Sequence, residues 1–178
     1  MAKVRSERVE VIRGDITRLD VDIIVNAANQ SLLGGGGVDG AIHRAAGRAL
    51  LDECRTLGGC PTGQVRLTGG HGLLARYVIH AVGPIYQTGR QGEADLLRSC
   101  YQDSLRLAAE KQAGTIAFPC ISTGVYQYPK AEACRIATDT VFSWLRDNEH
   151  PGRVLFCCFE TADVTLYQDR LRELLTAP

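Results

Sequence analysis

Four consecutive glycines, Gly34 to Gly37, are flanked by two polar side chains ten residues apart, Asn29 and Asp39. A glycine run that opens a helix bares backbone N–H groups toward one point, and a phosphate is the natural guest there. The Asp39 carboxylate just beyond the run adds a group that could do chemistry as well as binding. A second stretch, Ile121-Ser122-Thr123-Gly124-Val125-Tyr126, offers two hydroxyls and another unobstructed backbone. Two such loops could clamp a diphosphate from both sides. The lysine and hydroxyl of G-x-x-x-x-G-K-[ST] are missing, which argues against magnesium-dependent triphosphate hydrolysis. Gly35-x-Gly37-x-x-Gly40 meets the bare G-x-G-x-x-G pattern, yet a run of four glycines meets it easily and the usual downstream acid is absent. A flexible linker is the plain alternative for the run, and its tight placement between a strand and a helix argues against that.

The elements that must hold these loops alternate. Strands are expected at Val9–Arg13, Asp22–Ala27, Gln64–Thr68, Arg76–Val82, Thr115–Pro119 and Val154–Phe159. A helix is expected from Val38, with Val38, Ala41, Ile42, Ala45, Ala46, Ala49 and Leu50 on one face, running until Gly58-Gly59 and Pro61 stop it. A second spans Glu93–Lys111. A third has Pro129 in its first turn, and a fourth is capped by Thr161. Alternating strands and helices predict an α/β chain, a three-layer α/β/α sandwich with a mixed, mostly parallel sheet, as one domain over residues 1–178. In such sheets ligands bind beyond the carboxyl ends of the strands, where both loops fall.

Composition narrows the function classes. The chain has 178 residues, 45% hydrophobic and 22% charged, with a formal net charge of zero. Zero charge gives no broad pull toward nucleic acid or an acidic membrane surface. No apolar run approaches the ~20 residues of a membrane helix, and the N-terminal residues lack a signal peptide's apolar stretch. Seven cysteines, with no C-x-x-C pair and no Cys/His zinc spacing, read as reduced, buried thiols of a cytoplasmic protein. No metal and no cofactor are expected.

GDIT (Gly14 to Thr17), VNAAN (Val25 to Asn29), GGGGVDGAIHRAAG (Gly34 to Gly47) and ISTGVY (Ile121 to Tyr126) occur in this order. Together they resemble the macrodomain family, most closely its MacroD-type branch of ADP-ribose hydrolases, over essentially the whole chain. The resemblance implies ADP-ribose as ligand, with O-acyl esters of ADP-ribose and ADP-ribosylated proteins as substrates. It also implies roles. Asp15 accepts from the adenine amino group and the Ile16 N–H meets the ring; an Asx-turn or helix-cap aspartate is the alternative for Asp15. Gly35, Gly36, Gly37 and Val38, with Ser122, Thr123, Gly124 and Val125, cradle the diphosphate by backbone N–H groups. Tyr126 packs over the distal ribose, unless it is only a surface tyrosine. Phe159 stacks on adenine or is a core aromatic, and Phe156 competes with it.

In the resembling hydrolases the position of Asn29 orients the distal ribose, and that of Asp39 orients or activates a water beside the scissile ester. Either Asp39 or a substrate phosphate could be the base, and capping the helix is the plain alternative for Asp39. Asn26 is expected to make structural backbone hydrogen bonds and His43 to pack; His80 receives no role. Gln30 and Gln127 stand where the family often has a proline and a small residue, which bears on substrate preference. The implied reaction is hydrolysis of esters on the distal ribose. The rival functions are a non-catalytic ADP-ribose reader, which often lacks one or both of the Asn29 and Asp39 side chains, and a regulator acting through RNA or protein contacts.

Overall fold

Ile23, Ile24 and Val25 are completely buried on both faces of the sheet. Such a β-branched run can be satisfied only as an interior strand covered by helices on both sides. The computed structural model describes residues 3–177, so Met1, Ala2 and Pro178 of the expected 1–178 domain lie outside the described residues. In chain order the elements are β1 (Val9–Arg13), β2 (Ile23–Ala27), α1 (Gly37–Ala46), α2 (Arg48–Thr56), β3 (Val65–Gly69) and β4 (Tyr77–Ala81). They continue with α3 (Glu93–Glu110), β5 (Thr115–Phe118), α4 (Lys130–Asp147), β6 (Arg153–Cys158) and α5 (Thr161–Thr176). One six-stranded sheet has the order β1-β6-β5-β2-β4-β3. Its pairings are parallel except the outermost, where β3 runs antiparallel to β4 with Val65 opposite Ala81 and Gly69 opposite Tyr77.

Alternation along the strands makes two cores. Ile24, Val78, Ala117 and Cys157 face Ile42 and Ala46 of α1 and Leu50 and Cys54 of α2. Ile23, Val25, Ile79 and Phe118 face α3, α4 and α5 through Leu97, Leu105, Val141 and Tyr167. This is the expected α/β/α sandwich with a mixed, mostly parallel sheet. The cysteines are all free thiols.

Three expected boundaries are corrected. The helix after the glycine run is two helices, because Gly47 between them has φ 83° and ψ 179°. That conformation is open almost only to glycine. The break turns the apolar face, so Ala45 and Ala49 are exposed rather than buried. Pro129 is the N-cap of α4 rather than a residue of its first turn, where its missing N–H also costs no helix bond. Glu160, not Thr161, is the N-cap of α5, and neither offers a side-chain cap.

A Cβ added at Gly47 would meet no atom within 4 Å, so its cost is purely that of the backbone conformation. Gly47→Ala is therefore expected to lower the unfolding free energy by about 1–3 kcal/mol, read as a lower denaturant midpoint with an unchanged slope; an unchanged midpoint would contradict this account of the helix break.

Candidate active site

The carboxyl ends of β1, β2, β5 and β6 open into one cleft of about 750 Å³. Each strand end delivers a part. Beyond β1 come Gly14, Asp15 and Ile16; beyond β2 come Asn29 and, after a turn, Gly35 to Asp39; beyond β5 comes Cys120 to Tyr126; beyond β6 comes Phe159. All fourteen residues expected to bind or react, Asn29, Asp39, Asp15, Ile16, Gly35 to Val38, Ser122 to Tyr126 and Phe159, line this cleft.

The glycine loop forms the first turn of α1, with Gly36 as N-cap and Gly37 at φ 57°. The first N–H groups of a helix have no acceptor within it, so they point outward as donors. Gly40 locks the loop onto the helix: a Cβ there would come 2.5 Å from the Gly35 carbonyl oxygen. The facing loop is folded on itself by hydrogen bonds from Gln127 N–H to Gly124 O and from Tyr128 N–H to Ser122 O, both 2.9 Å. Thr123 Oγ1 donates to Cys120 O at 3.0 Å. Ser122 takes φ 66°, an unusual conformation for a serine and one that turns the chain tightly here.

Asn29 and Asp39 converge on Gly35. The Cβ that Gly35 lacks would lie 3.1 Å from Asp39 Oδ2 and 3.3 Å from Asn29 Nδ2. Asn29 is braced by its own turn: its Oδ1 accepts from Ser31 N–H at 3.1 Å and Ser31 Oγ at 2.6 Å, and its Nδ2 donates to Gly34 O at 3.0 Å. One amide hydrogen is left for a ligand. Asp39 makes no cap to α1 and is only 4% exposed. Its Oδ1 accepts from Asn26 Nδ2 at 2.7 Å, and His43 Nε2 stands 3.5 Å from the same oxygen. Burial raises the Asp39 carboxyl above the usual carboxylate range, while the Asn26 hydrogen bond and His43 pull against the rise.

Several alternatives are resolved by position. Asp15 does cap a short 3-10 turn, accepting from Thr17 N–H at 2.9 Å and Thr17 Oγ1 at 2.7 Å, and it also lines the cleft. Phe159 is 80% exposed and faces the cleft, so it is not a core aromatic. Phe156 is buried among Phe118 and Tyr167 on the far side of the sheet. Asn26 bonds side chains rather than backbone, giving a second contact from Nδ2 to His80 Nδ1 at 3.1 Å. Sequence reasoning missed Arg44, Cys120, Lys130 and Asp163 at the cleft rim. Lys130 Nζ bridges Glu160 at 2.7 Å and Asp163 at 3.0 Å. Arg44 sits inside the Gly34 to Gly47 motif without a role there, and Cys120, Lys130 and Asp163 come from a strand end and two further helices far apart in the chain.

His80 is fully buried, and burial pushes its pKa down to about 4. The unfolded chain takes up this proton near the ordinary value of 6.5 while the folded chain refuses it. Its contribution to stability is therefore complete above pH 6.5 and lost as the pH falls toward 4. The loss amounts to about 3 kcal/mol. His80→Gln should flatten that part of the stability curve by this amount in denaturant titrations; parallel curves for the two proteins would contradict it.

A family model described as the Macro domain matches residues 25–137. The chain is 52% identical over 170 residues to an O-acetyl-ADP-ribose deacetylase of Enterobacter cloacae, covering 93% of this chain and 94% of that protein. It is 50% identical over 176 residues to the human ADP-ribose glycohydrolase MACROD2, covering 98% of this chain and 41% of that longer protein. Its backbone superposes on the Trypanosoma brucei macrodomain in complex with ADP-ribose with a TM-score of 0.87, at 45% identity, covering 92% of this chain and 69% of that one. With the family model over more than half of its length and relatives about 50% identical over nearly all of it, the chain belongs to the Macro domain family.

Proposed function

We propose that this protein hydrolyses ester links to the distal ribose of ADP-ribose, acting on O-acetyl-ADP-ribose and on mono-ADP-ribose esters of protein Asp or Glu side chains. The observation that carries the reading is the convergence of Asp39 Oδ2 and Asn29 Nδ2 on one point above Gly35. The names of the deacetylase and glycohydrolase relatives, and the ADP-ribose bound to a related macrodomain, support the ligand and the reaction class.

The cleft divides the ligand by chemistry. The N–H groups of Gly35 to Val38 and Ser122 to Val125 take the diphosphate, each such hydrogen bond contributing ~1.5–3 kcal/mol. Asp15 and the Ile16 N–H meet the adenine edge, and Phe159 stacks on its face. Tyr126 covers the distal ribose, and the free Asn29 amide hydrogen holds one of its hydroxyls. Asp39 Oδ2 takes a proton from a water, whose oxygen attacks the ester carbonyl carbon. The acyl–oxygen bond then breaks, the ribose oxygen receives a proton, and a carboxylic acid and ADP-ribose leave. A raised carboxyl pKa makes Asp39 a better base than an ordinary surface aspartate. The proposed reaction takes this carboxylate as its base and calls on no metal. The free thiols support a reducing, cytoplasmic setting.

Release of ADP-ribose from O-acetyl-ADP-ribose and from an ester-linked modified protein should be seen with the wild type and survive excess chelator. It should fall about 10²–10⁴-fold in Asp39→Ala, with ADP-ribose affinity by calorimetry little changed. Tight binding with no ester cleavage by the wild type would instead mark a reader, and full turnover by Asp39→Ala and Asn29→Ala would refute the roles given to them.

A further inference from the structure

Behind the cleft, three buried polar side chains line up with Asp39 across the sheet. Asn26 of β2 and His80 of β4 are 0% exposed, and Thr68 of β3 is 2% exposed. Asn26 and His80 are direct partners on adjacent parallel strands, so both side chains leave the sheet on the face covered by α1 and α2. Amide and imidazole groups in a dry layer lose their hydration and must recover it from each other. Aliphatic residues would fill the same layer without that cost.

The chemistry of the partners sets the direction of each bond. Asn26 Nδ2 lies 2.7 Å from Asp39 Oδ1 and 3.1 Å from His80 Nδ1. A carboxylate only accepts, so the amide nitrogen faces it and donates. The second hydrogen of the same nitrogen goes to His80 Nδ1, which must be unprotonated to accept it. The ring hydrogen is then on Nε2, which donates to Thr68 Oγ1 at 2.9 Å. The Thr68 hydroxyl passes its own hydrogen to Gly69 O at 3.1 Å. Asn26 Oδ1 is buried and has no hydrogen-bond partner among the described residues. Only Asp39 and His80 therefore decide which way round the amide sits.

We propose that Asn26 and His80 are positioning residues: His80, as the neutral Nε2–H tautomer, holds the Asn26 amide in the orientation that donates to Asp39, which keeps the carboxylate ionised with Oδ2 turned to the cleft. The catalytic part of this proposal rests on the reading of Asp39 as the base. The groups facing His80 are Asp39 and His43 from α1, Glu53 and Cys54 from α2, and Arg66 from β3. The His43 ring centroid is 6.3 Å from that of His80, and its charge would disfavour a second cation, whereas Glu53 would favour it. Cys54 Sγ is 3.8 Å from Nε2, and burial pushes its pKa up to about 11, so it stays a thiol. The Arg66 guanidinium turns to Gln64 Oε1 and Val65 O. Burial outweighs them all and keeps the ring neutral.

The arrangement couples two protons. Once His80 is protonated, Nδ1 becomes a donor and the amide must present Oδ1 to it. The same turn puts Oδ1 against Asp39, which loses its donor and takes a proton in place of it. The acid limb of log kcat against pH then has a slope near two rather than one.

The test is kcat and KM for O-acetyl-ADP-ribose hydrolysis between about pH 3.5 and 8, with long-range ¹H–¹⁵N spectra of the His80 ring in the wild type. His80→Phe, which cannot accept from Asn26, should lower kcat about 10–100-fold with KM little changed. His80→Gln, which can accept with Oε1 and donate with Nε2 but does not titrate, should recover most of that loss and reduce the acid slope to one. The spectra should show an unprotonated Nδ1 and an Nε2–H at neutral pH. An Nδ1–H tautomer, or a wild-type kcat and acid slope in His80→Phe, overturns the proposal. If His80→Phe does not fold, an unchanged acid slope in His80→Gln overturns it equally. The spectra need no turnover: if the wild type cleaves no ester, the functional reading fails and the tautomer alone decides whether the hydrogen-bond chain stands.

Discussion

A carboxylate taken almost wholly out of water must be given donors or be neutralised, and Asp39 lives under that constraint. Its one strong side-chain donor among the described residues is the amide of Asn26, at 2.7 Å. That amide can sit there only because β2 carries a polar residue in the middle of a strand buried on both faces. The cost of Asn26 in such a place is met by partners on two other elements, Asp39 on α1 and His80 on β4. The placement of α1 on the sheet, the register of β2 with β4 and the electrostatics of the cleft are thus parts of one arrangement.

The glycines serve the same end by what they lack. Gly40 lets the loop lie against its own helix, because any side chain would meet the Gly35 carbonyl. Gly35 leaves open the space on which Asn29 and Asp39 converge. In the proposed reading, a ligand held by backbone N–H groups on both sides, with no lysine among them, brings its distal sugar against these two side chains rather than against solvent. In that reading binding and chemistry share one loop, with the diphosphate on the backbone and the ester on the side chains.

Much of this was legible in the residues, for physical reasons. The β-branched run at Ile23 to Val25 announces an interior strand, and turn chemistry marks the loops at the strand ends that line the cleft. The split of the first helix was not legible. Its apolar spacing continues through Gly47, and a glycine at φ 83° looks in sequence like one tolerated inside a helix. Phe159 against Phe156 could not be decided by pattern either, since a strand end one residue earlier or later exchanges cleft and core. The roles of Asn26 and His80 were hidden because strand pairing, not chain spacing, brings them together. Lys130 and Asp163 reach the rim for a similar reason, through the packing of α4 against α5.

The central claim is that the Asp39 carboxylate, not a phosphate of the substrate, takes the proton from the attacking water. Asp39→Asn tests it most directly. The amide keeps the size of the side chain and an oxygen that can accept from Asn26, but it is no base. Single-turnover hydrolysis of O-acetyl-ADP-ribose by Asp39→Asn should be about 10²–10⁴-fold slower than by the wild type, with ADP-ribose affinity preserved. Hydrolysis at the wild-type rate would place the base on the substrate and contradict the account.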